Sequence, residues 1–148
     1  MFRGQHLHAI DAKGRTSLPA RFRTVLEDRR DMRVFLVPGL DTCIELHPFA
    51  EWLEFEAKLA ALPQFHPAVR RLQLLQVSGA MDTEVDKLGR IQIPAQLRAR
   101  LGREVLWAGM IKRVELWDRE HFALATAQDL RTPDPNLELK QALAELGL

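Results

Sequence analysis

The 148-residue chain has one cysteine, Cys43. A single thiol excludes an intrachain disulfide and suits a reducing compartment. Cys43 lies in an apolar, strand-like run with no thiolate-stabilising cluster nearby, so it reads as a small buried hydrophobe. Long apolar runs are missing too. No stretch approaches the ~20 residues a membrane helix needs, and the opening "MFRGQHLH" lacks the apolar segment of a secretory signal. The expectation is a soluble, cytoplasmic protein with no membrane partner. Excess charge is also lacking, since the formal net charge is +1. Bulk basicity therefore announces no polyanionic partner, yet the charge is unevenly spread. Residues 1–30 carry Arg3, Lys13, Arg15, Arg21, Arg23, Arg29 and Arg30 against Asp11, Glu27 and Asp28, whereas the stretch from Asp41 to Lys58 is acidic. A near-neutral chain can still present one basic face, and local patches are what steer a polyanion.

Signatures of catalysis are absent as well. There is no nucleophile elbow, Walker loop or glycine-rich dinucleotide turn. His47, His66 and His121 are scattered. His6, His8 and Asp11 are close in sequence, and strand alternation would put both histidines on one face, as a metal pair requires. No further ligand stands at a matching spacing, so they read as ordinary histidines of an N-terminal strand. The expectation is a protein that is not an enzyme and holds no cofactor and no metal.

What the chain does have is a repeat. "DAKGRTSLPARFR" (11–23) returns as "DKLGRIQIPAQLR" (86–98). Asp11, Gly14, Arg15, Pro19, Ala20 and Arg23 match Asp86, Gly89, Arg90, Pro94, Ala95 and Arg98. The similarity continues: "RVFLVPGLDTCIELH" (33–47) aligns without gaps on "REVLWAGMIKRVELW" (103–117), Gly39 falling on Gly109. Each copy reads as a short strand, an Asp-x-x-Gly turn, a second strand, a helix with its proline (Pro19 or Pro94) in the first turn, and a hairpin. Asp11 and Asp86 cap the turns, and Gly14 and Gly89 supply the positive φ such turns demand. Leu18, Phe22, Val25 and Leu26 recur at helical spacing in the first copy, as do Ile93, Leu97 and Leu101 in the second, with Gly102 as helix stop. Such a unit has little interior of its own, so the fold needs two copies sharing one core.

Between the copies lie two helical stretches, one marked by Phe49, Trp52, Leu53, Leu59 and Leu62, the other by Val69, Leu72, Leu75 and Val77. A helix starts at Asp118, "RTPDPN" (131–136) reads as a linker, and "LELKQALAELGL" reads as a weak helix or a contact for another subunit. The expected organisation is a first unit at 5–50, connecting helices at 51–80, a second unit at 81–124 and a C-terminal helix or tail at 125–148.

Arg15 and Arg90 directly follow the turn glycines. Each has two readings. The guanidinium can reach phosphate or the O6/N7 edge of guanine, or it can pair with its own motif aspartate and stiffen the turn. For Arg90 the two stand level; for Arg15 the cations around it favour DNA. Lys13 and Lys87 lie in the same turns at different offsets. Arg21, Arg23, Arg98 and Arg100 read as solvated helix faces. The residues thus describe a duplicated α+β binding module with nucleic acid as its leading partner.

The "MFRG" start, "DAKGR" with "DKLGR", "PARFR" with "PAQLR", and "VELWD" resemble the MraZ family of bacterial transcriptional regulators, from about Met1 to about Leu130. The resemblance implies an α+β fold of two tandem swapped-hairpin SpoVT-AbrB units forming an intrachain pseudo-dimer. It implies closed rings of eight or more subunits. It implies binding to short G-rich direct repeats in the promoter of the division and cell-wall operon, hence a nucleoid-associated protein. By motif position Arg15 is the leading DNA contact, with Lys13 beside it, Arg3 nearby, and Arg90 and Lys87 in the second unit. The rivals are an AbrB-like antitoxin, a structural ring without specific DNA binding, and a metal-dependent hydrolase at His6 and His8.

Overall fold

The computed structural model describes residues 1–127 and 132–148. In the first copy, β1 (Gln5–Ala9) leads through the turn to β2 (Arg15–Ser17), helix α1 (Ala20–Asp28) and the hairpin β3 (Arg33–Pro38) and β4 (Ile44–Pro48). Helices α2 (Phe49–Ala60) and α3 (Pro67–Leu75) follow. The second copy repeats the order as β5 (Met81–Glu84), β6 (Arg90–Gln92), α4 (Ala95–Arg98), β7 (Glu104–Met110) and β8 (Arg113–Asp118). Helices α5 (Arg119–Thr126) and α6 (Leu137–Glu145) complete the described chain.

Both copies contribute to one antiparallel sheet, ordered β1-β7-β8-β4-β3-β5. The pairing crosses between copies. Strand β1 lies on β7 of the second copy, with His6 opposite Trp107, and β5 lies on β3 of the first, with Glu84 opposite Arg33. The hairpins meet at β4 and β8, where Ile44 faces Leu116 and Leu46 faces Val114. Strands β2 and β6 pair only with each other, as a separate two-stranded ribbon. Neither copy can complete its pairing without the other.

Alternation along the strands sends one row of side chains inward. Leu36, Leu46, Trp107 and Leu116 from the sheet meet Leu18, Phe22, Leu26, Ile91, Ile93 and Leu97 from the ribbon and from α1 and α4. Phe2 closes this core from the N-terminus through a bridge to Ile111. Full burial of side chains this large contributes about 1.5–3 kcal/mol each. The opposite face of the sheet is covered by α2, whose buried Trp52 lies 6.1 Å from the Phe35 ring and 4.9 Å from His47. A second cluster joins Leu59, Ala68, Val69, Leu72 and Leu143 of α2, α3 and α6. Cys43 is buried beside the first hairpin, and burial pushes its thiol well above the usual range.

Several local expectations are corrected. Pro19 and Pro94 stand just before their helices, as N-caps. Gly102 does not end α4, which stops at Arg98; its N–H instead donates to Asp118 Oδ1 at 2.8 Å, while Asp118 Oδ2 caps α5. Leu53 is exposed on α2. The tail docks as α6 on its own chain: Asn136 Nδ2 donates to Leu40 O at 2.7 Å, and Lys140 bridges Asp134 and Asp41. The helical reading past Ala127 and the Arg131 end of the linker lie outside the described residues. The gapless hairpin alignment slips by one: Leu36 faces Leu46 in the first hairpin, but Trp107 faces Leu116 in the second. The longer Gly39–Cys43 turn carries the extra residue, whereas the second hairpin turns tightly through Ile111 at φ +70°.

Candidate nucleic-acid interface

Each Asp-x-x-Gly-Arg turn is built by its own aspartate. Asp11 Oδ1 accepts the backbone N–H groups of Lys13 and Arg15, each at 2.9 Å, and Oδ2 accepts Arg15 Nε at 2.9 Å. The second turn repeats this. Asp86 Oδ1 accepts Leu88 N at 2.9 Å and Arg90 N at 2.8 Å, and Oδ2 accepts Arg90 Nε at 3.1 Å. The glycines hold φ of +81° and +76°, which an L side chain resists. The backbone N–H of Arg15 is the main cause that holds the Asp11 carboxyl below its ordinary range, and that of Arg90 does the same for Asp86.

The two turns are locked to each other. Ile93 N donates to Gly14 O at 2.7 Å, and Leu18 N donates to Gly89 O at 2.8 Å. Arg98 of the second copy lies across Gly14, its Nε bonded to Ile93 O at 2.8 Å; Arg23 of the first copy lies across Gly89. A Cβ on either glycine would collide with the arginine above it. Between the turns runs the ribbon, with Arg15 opposite Gln92, Thr16 opposite Ile91, and Ser17 opposite Arg90. Thr16 and Ile91 are buried, so Arg15, Ser17, Arg90 and Gln92 point outward. Gln92 Nε2 bonds Lys13 O, and His8 Nδ1 donates to Ser17 O at 2.7 Å, bracing the ribbon at both ends.

The structure therefore brings Asp11, Lys13, Gly14, Arg15, Asp86, Lys87, Gly89 and Arg90 to one end of the molecule. With Arg23 and Arg98 this end carries six cations and two carboxylates. Both readings of the arginines bear on the geometry. The aspartate pairing is observed at Arg15 and Arg90 alike, but it takes only Nε. Neither Nη of these two residues has a hydrogen-bond partner among the described residues. An ion pair this exposed adds little stability; it aims a guanidinium edge outward from a rigid turn.

Arg3 does not join this group. Its backbone packs against Gly109, next to the β7–β8 turn. The whole of β1 separates it from Asp11, roughly 25 Å of extended chain at ~3.3 Å per residue. Arg23 and Arg98, read as solvated helix residues, are seats for the turns; their signal was present in the repeat, where they are one of the matched identities. Arg100 likewise caps the first hairpin, its Nη1 lying 3.1, 2.9 and 3.0 Å from the carbonyl oxygens of Gly39, Asp41 and Cys43. His6 packs edge-on to Phe22 with ring centroids 5.2 Å apart, and the described residues hold no group of three metal-ligating side chains. A cleft of about 1670 Å³ lies on the far face of the sheet, lined by Leu40, Glu45, Trp52, Gln76, Arg113 and Glu115.

The chain is thus a duplicated α+β protein whose paired basic turns flank an exposed ribbon. The family described as "MraZ protein, putative antitoxin-like" matches residues 1–75 and 77–139, and the chain belongs to the MraZ family. It is 46% identical to the "Transcriptional regulator MraZ" of Marinomonas sp. (strain MWYL1) over 82% of this chain and 83% of that one. It is 39% identical to that of Desulfitobacterium hafniense (strain DSM 10664 / DCB-2) over 100% of both. It is 37% identical to that of Pseudomonas putida (strain F1 among others) over 88% of both.

Proposed function

We propose that this protein is a sequence-specific DNA-binding transcriptional regulator whose reading head is the β2–β6 ribbon with its two flanking turns. The observation that carries the reading is the outward row Arg15, Gln92, Ser17 and Arg90 on a two-stranded ribbon. The major groove admits an element of that width. Lys13 and Lys87 at the turns dock on phosphate and set the register, while Arg15 and Arg90 present their Nη edges to guanine O6/N7. The crossed strand pairing supports a swapped-hairpin pseudo-dimer of two SpoVT-AbrB units, 5–50 and 81–124. The reading includes assembly into a ring of eight or more subunits. Such a ring sums weak contacts over short G-rich direct repeats in the promoter of the division and cell-wall operon. On this reading Arg3, remote from the turns, contributes at most to the general field.

The test is fluorescence anisotropy on the DNA upstream of the protein's own gene, across a salt series. Wild type binds that duplex far better than random DNA, with a steep salt slope. Arg15→Ala loses about 1–3 kcal/mol per head on a single repeat and much more on a multi-repeat duplex. Arg90→Ala reports whether the second turn shares the task. Equal affinity for promoter and random DNA would defeat the reading; equal Arg15→Ala losses on one repeat and on several would defeat its multivalent part.

A further inference from the structure

The two turns share a backbone and differ at their tips. Lys13 and Leu88 hold the same place, two residues after the capping aspartate, and the backbone N–H of each donates to that aspartate at 2.9 Å. Leu88 is 69% exposed and belongs to neither core cluster. A leucine exposed alone on ordinary surface needs no account. This one stands on a rigid tip between Lys87 and Arg90, on the face proposed to meet DNA. On a surface that worked by charge alone, a cation would serve better there, as Lys13 does. The one apolar feature a base edge offers in the major groove is the C5-methyl group of thymine.

We infer that Leu88 is a specificity residue of the DNA site and packs against the 5-methyl of a thymine, while Lys13 at the matching place engages phosphate or guanine. This rests on the DNA-binding reading above. The consequence is polarity. The backbone of the head is nearly the same at both ends, but its chemistry is not, so the site it reads has a direction. Direct repeats need a directional reader, whereas a chemically symmetric head suits a palindrome.

The experiment measures anisotropy on a single-repeat promoter duplex and on a set in which each thymine in turn is replaced by deoxyuridine, which removes only the methyl. Wild type, Leu88→Ala and Leu88→Lys are compared. One deoxyuridine position weakens wild type about fourfold, the worth of one buried methyl. Leu88→Ala weakens by a similar factor on the unmodified duplex, is indifferent to that deoxyuridine, and keeps the wild-type salt slope because no phosphate contact is lost. Its melting temperature is unchanged, since the side chain is outside the core. The inference is overturned if Leu88→Ala binds like wild type. It is equally overturned if Leu88→Ala weakens while no deoxyuridine distinguishes it from wild type, or if Leu88→Lys binds the unmodified duplex more tightly with a steeper slope. Failure of the underlying reading shows separately and earlier, as wild type binding random duplex equally well, and the inference falls with it.

Discussion

The turn at Asp11–Arg15 and the turn at Asp86–Arg90 have the same hydrogen bonds to within 0.2 Å, but not the same support. The arginine over Gly14 is Arg98, tied to Ile93 O at 2.8 Å. The arginine over Gly89 is Arg23, whose guanidinium has no hydrogen bond among the described residues. Duplication has preserved the loop and let its seat diverge. The lesson is that the Asp-Gly-Arg pattern specifies the turn, whereas its stiffness is set by the other copy.

The largest effect should come from breaking the seats. Gly14→Ala forces a Cβ into a left-handed conformation, costing about 1–2 kcal/mol. It also displaces Arg98 and its bond to Ile93, adding about 1.5–3 kcal/mol, as the loss of a bond from a charged group does. Gly89→Ala carries the same backbone cost, but displacing Arg23 sacrifices no hydrogen bond. Chemical denaturation should therefore rank Gly14→Ala below Gly89→Ala in stability by about 1.5–3 kcal/mol. Equal losses would show that the Arg98 bond adds nothing.

A smaller effect separates the two hairpins. The first has the longer turn, and Arg100 gathers three of its carbonyls; the second turns tightly through Ile111 and has no such cap among the described residues. Arg100→Ala should cost about 1.5–3 kcal/mol, as hydrogen bonds from a charged group do, with raised amide exchange confined to the first hairpin. Arg100→Lys should recover part of this, because an ammonium keeps donors but loses the planar fork. Exchange rising in both hairpins alike would mean that Arg100 supports the sheet in general.

These differences mark where sequence reasoning reaches and where it stops. The turns, both short strands and the inward positions Leu18, Phe22, Ile93 and Leu97 were legible, because each follows from local geometry or from periodicity. Exchange of β1 and β5 between copies follows from neither, since alternation shows which face of a strand is buried and not which strand lies beside it. The repeat showed that two copies were needed; it did not show that His6 would face Trp107. Arg23, Arg98 and Arg100 were misread for a related reason. A helical arginine looks solvated until a glycine or a bare carbonyl from a distant segment is brought beneath it. The nearness of Arg3 to the turn was misjudged in the opposite direction: eight residues from Asp11 in sequence, it lies at the other end of the strand that joins them. The one-residue slip between hairpins was hidden by Gly39 and Gly109, whose chance alignment masks a longer turn.

The smallest effect tests what the turns have in common. Asp11 and Asp86 both have lowered carboxyl pKa values in the folded chain, chiefly through the backbone N–H groups of Arg15 and Arg90. A depressed folded pKa means that the ionised form is favoured by folding. Its contribution is complete above the unfolded value of about 3.8 and is lost as pH falls through the lower folded value. Asp11→Asn and Asp86→Asn should each retain an oxygen for the turn amides while removing one share of this acid sensitivity. The gap in melting temperature between either variant and wild type should be widest near neutrality and narrow as pH falls below the unfolded value of 3.8. Because both carboxylates are solvent-exposed, the shifts should be small, and because the two turns share one hydrogen-bond pattern, they should be equal. Unequal shifts would place the divergence between the copies inside the turns themselves, and not in their tips and seats alone.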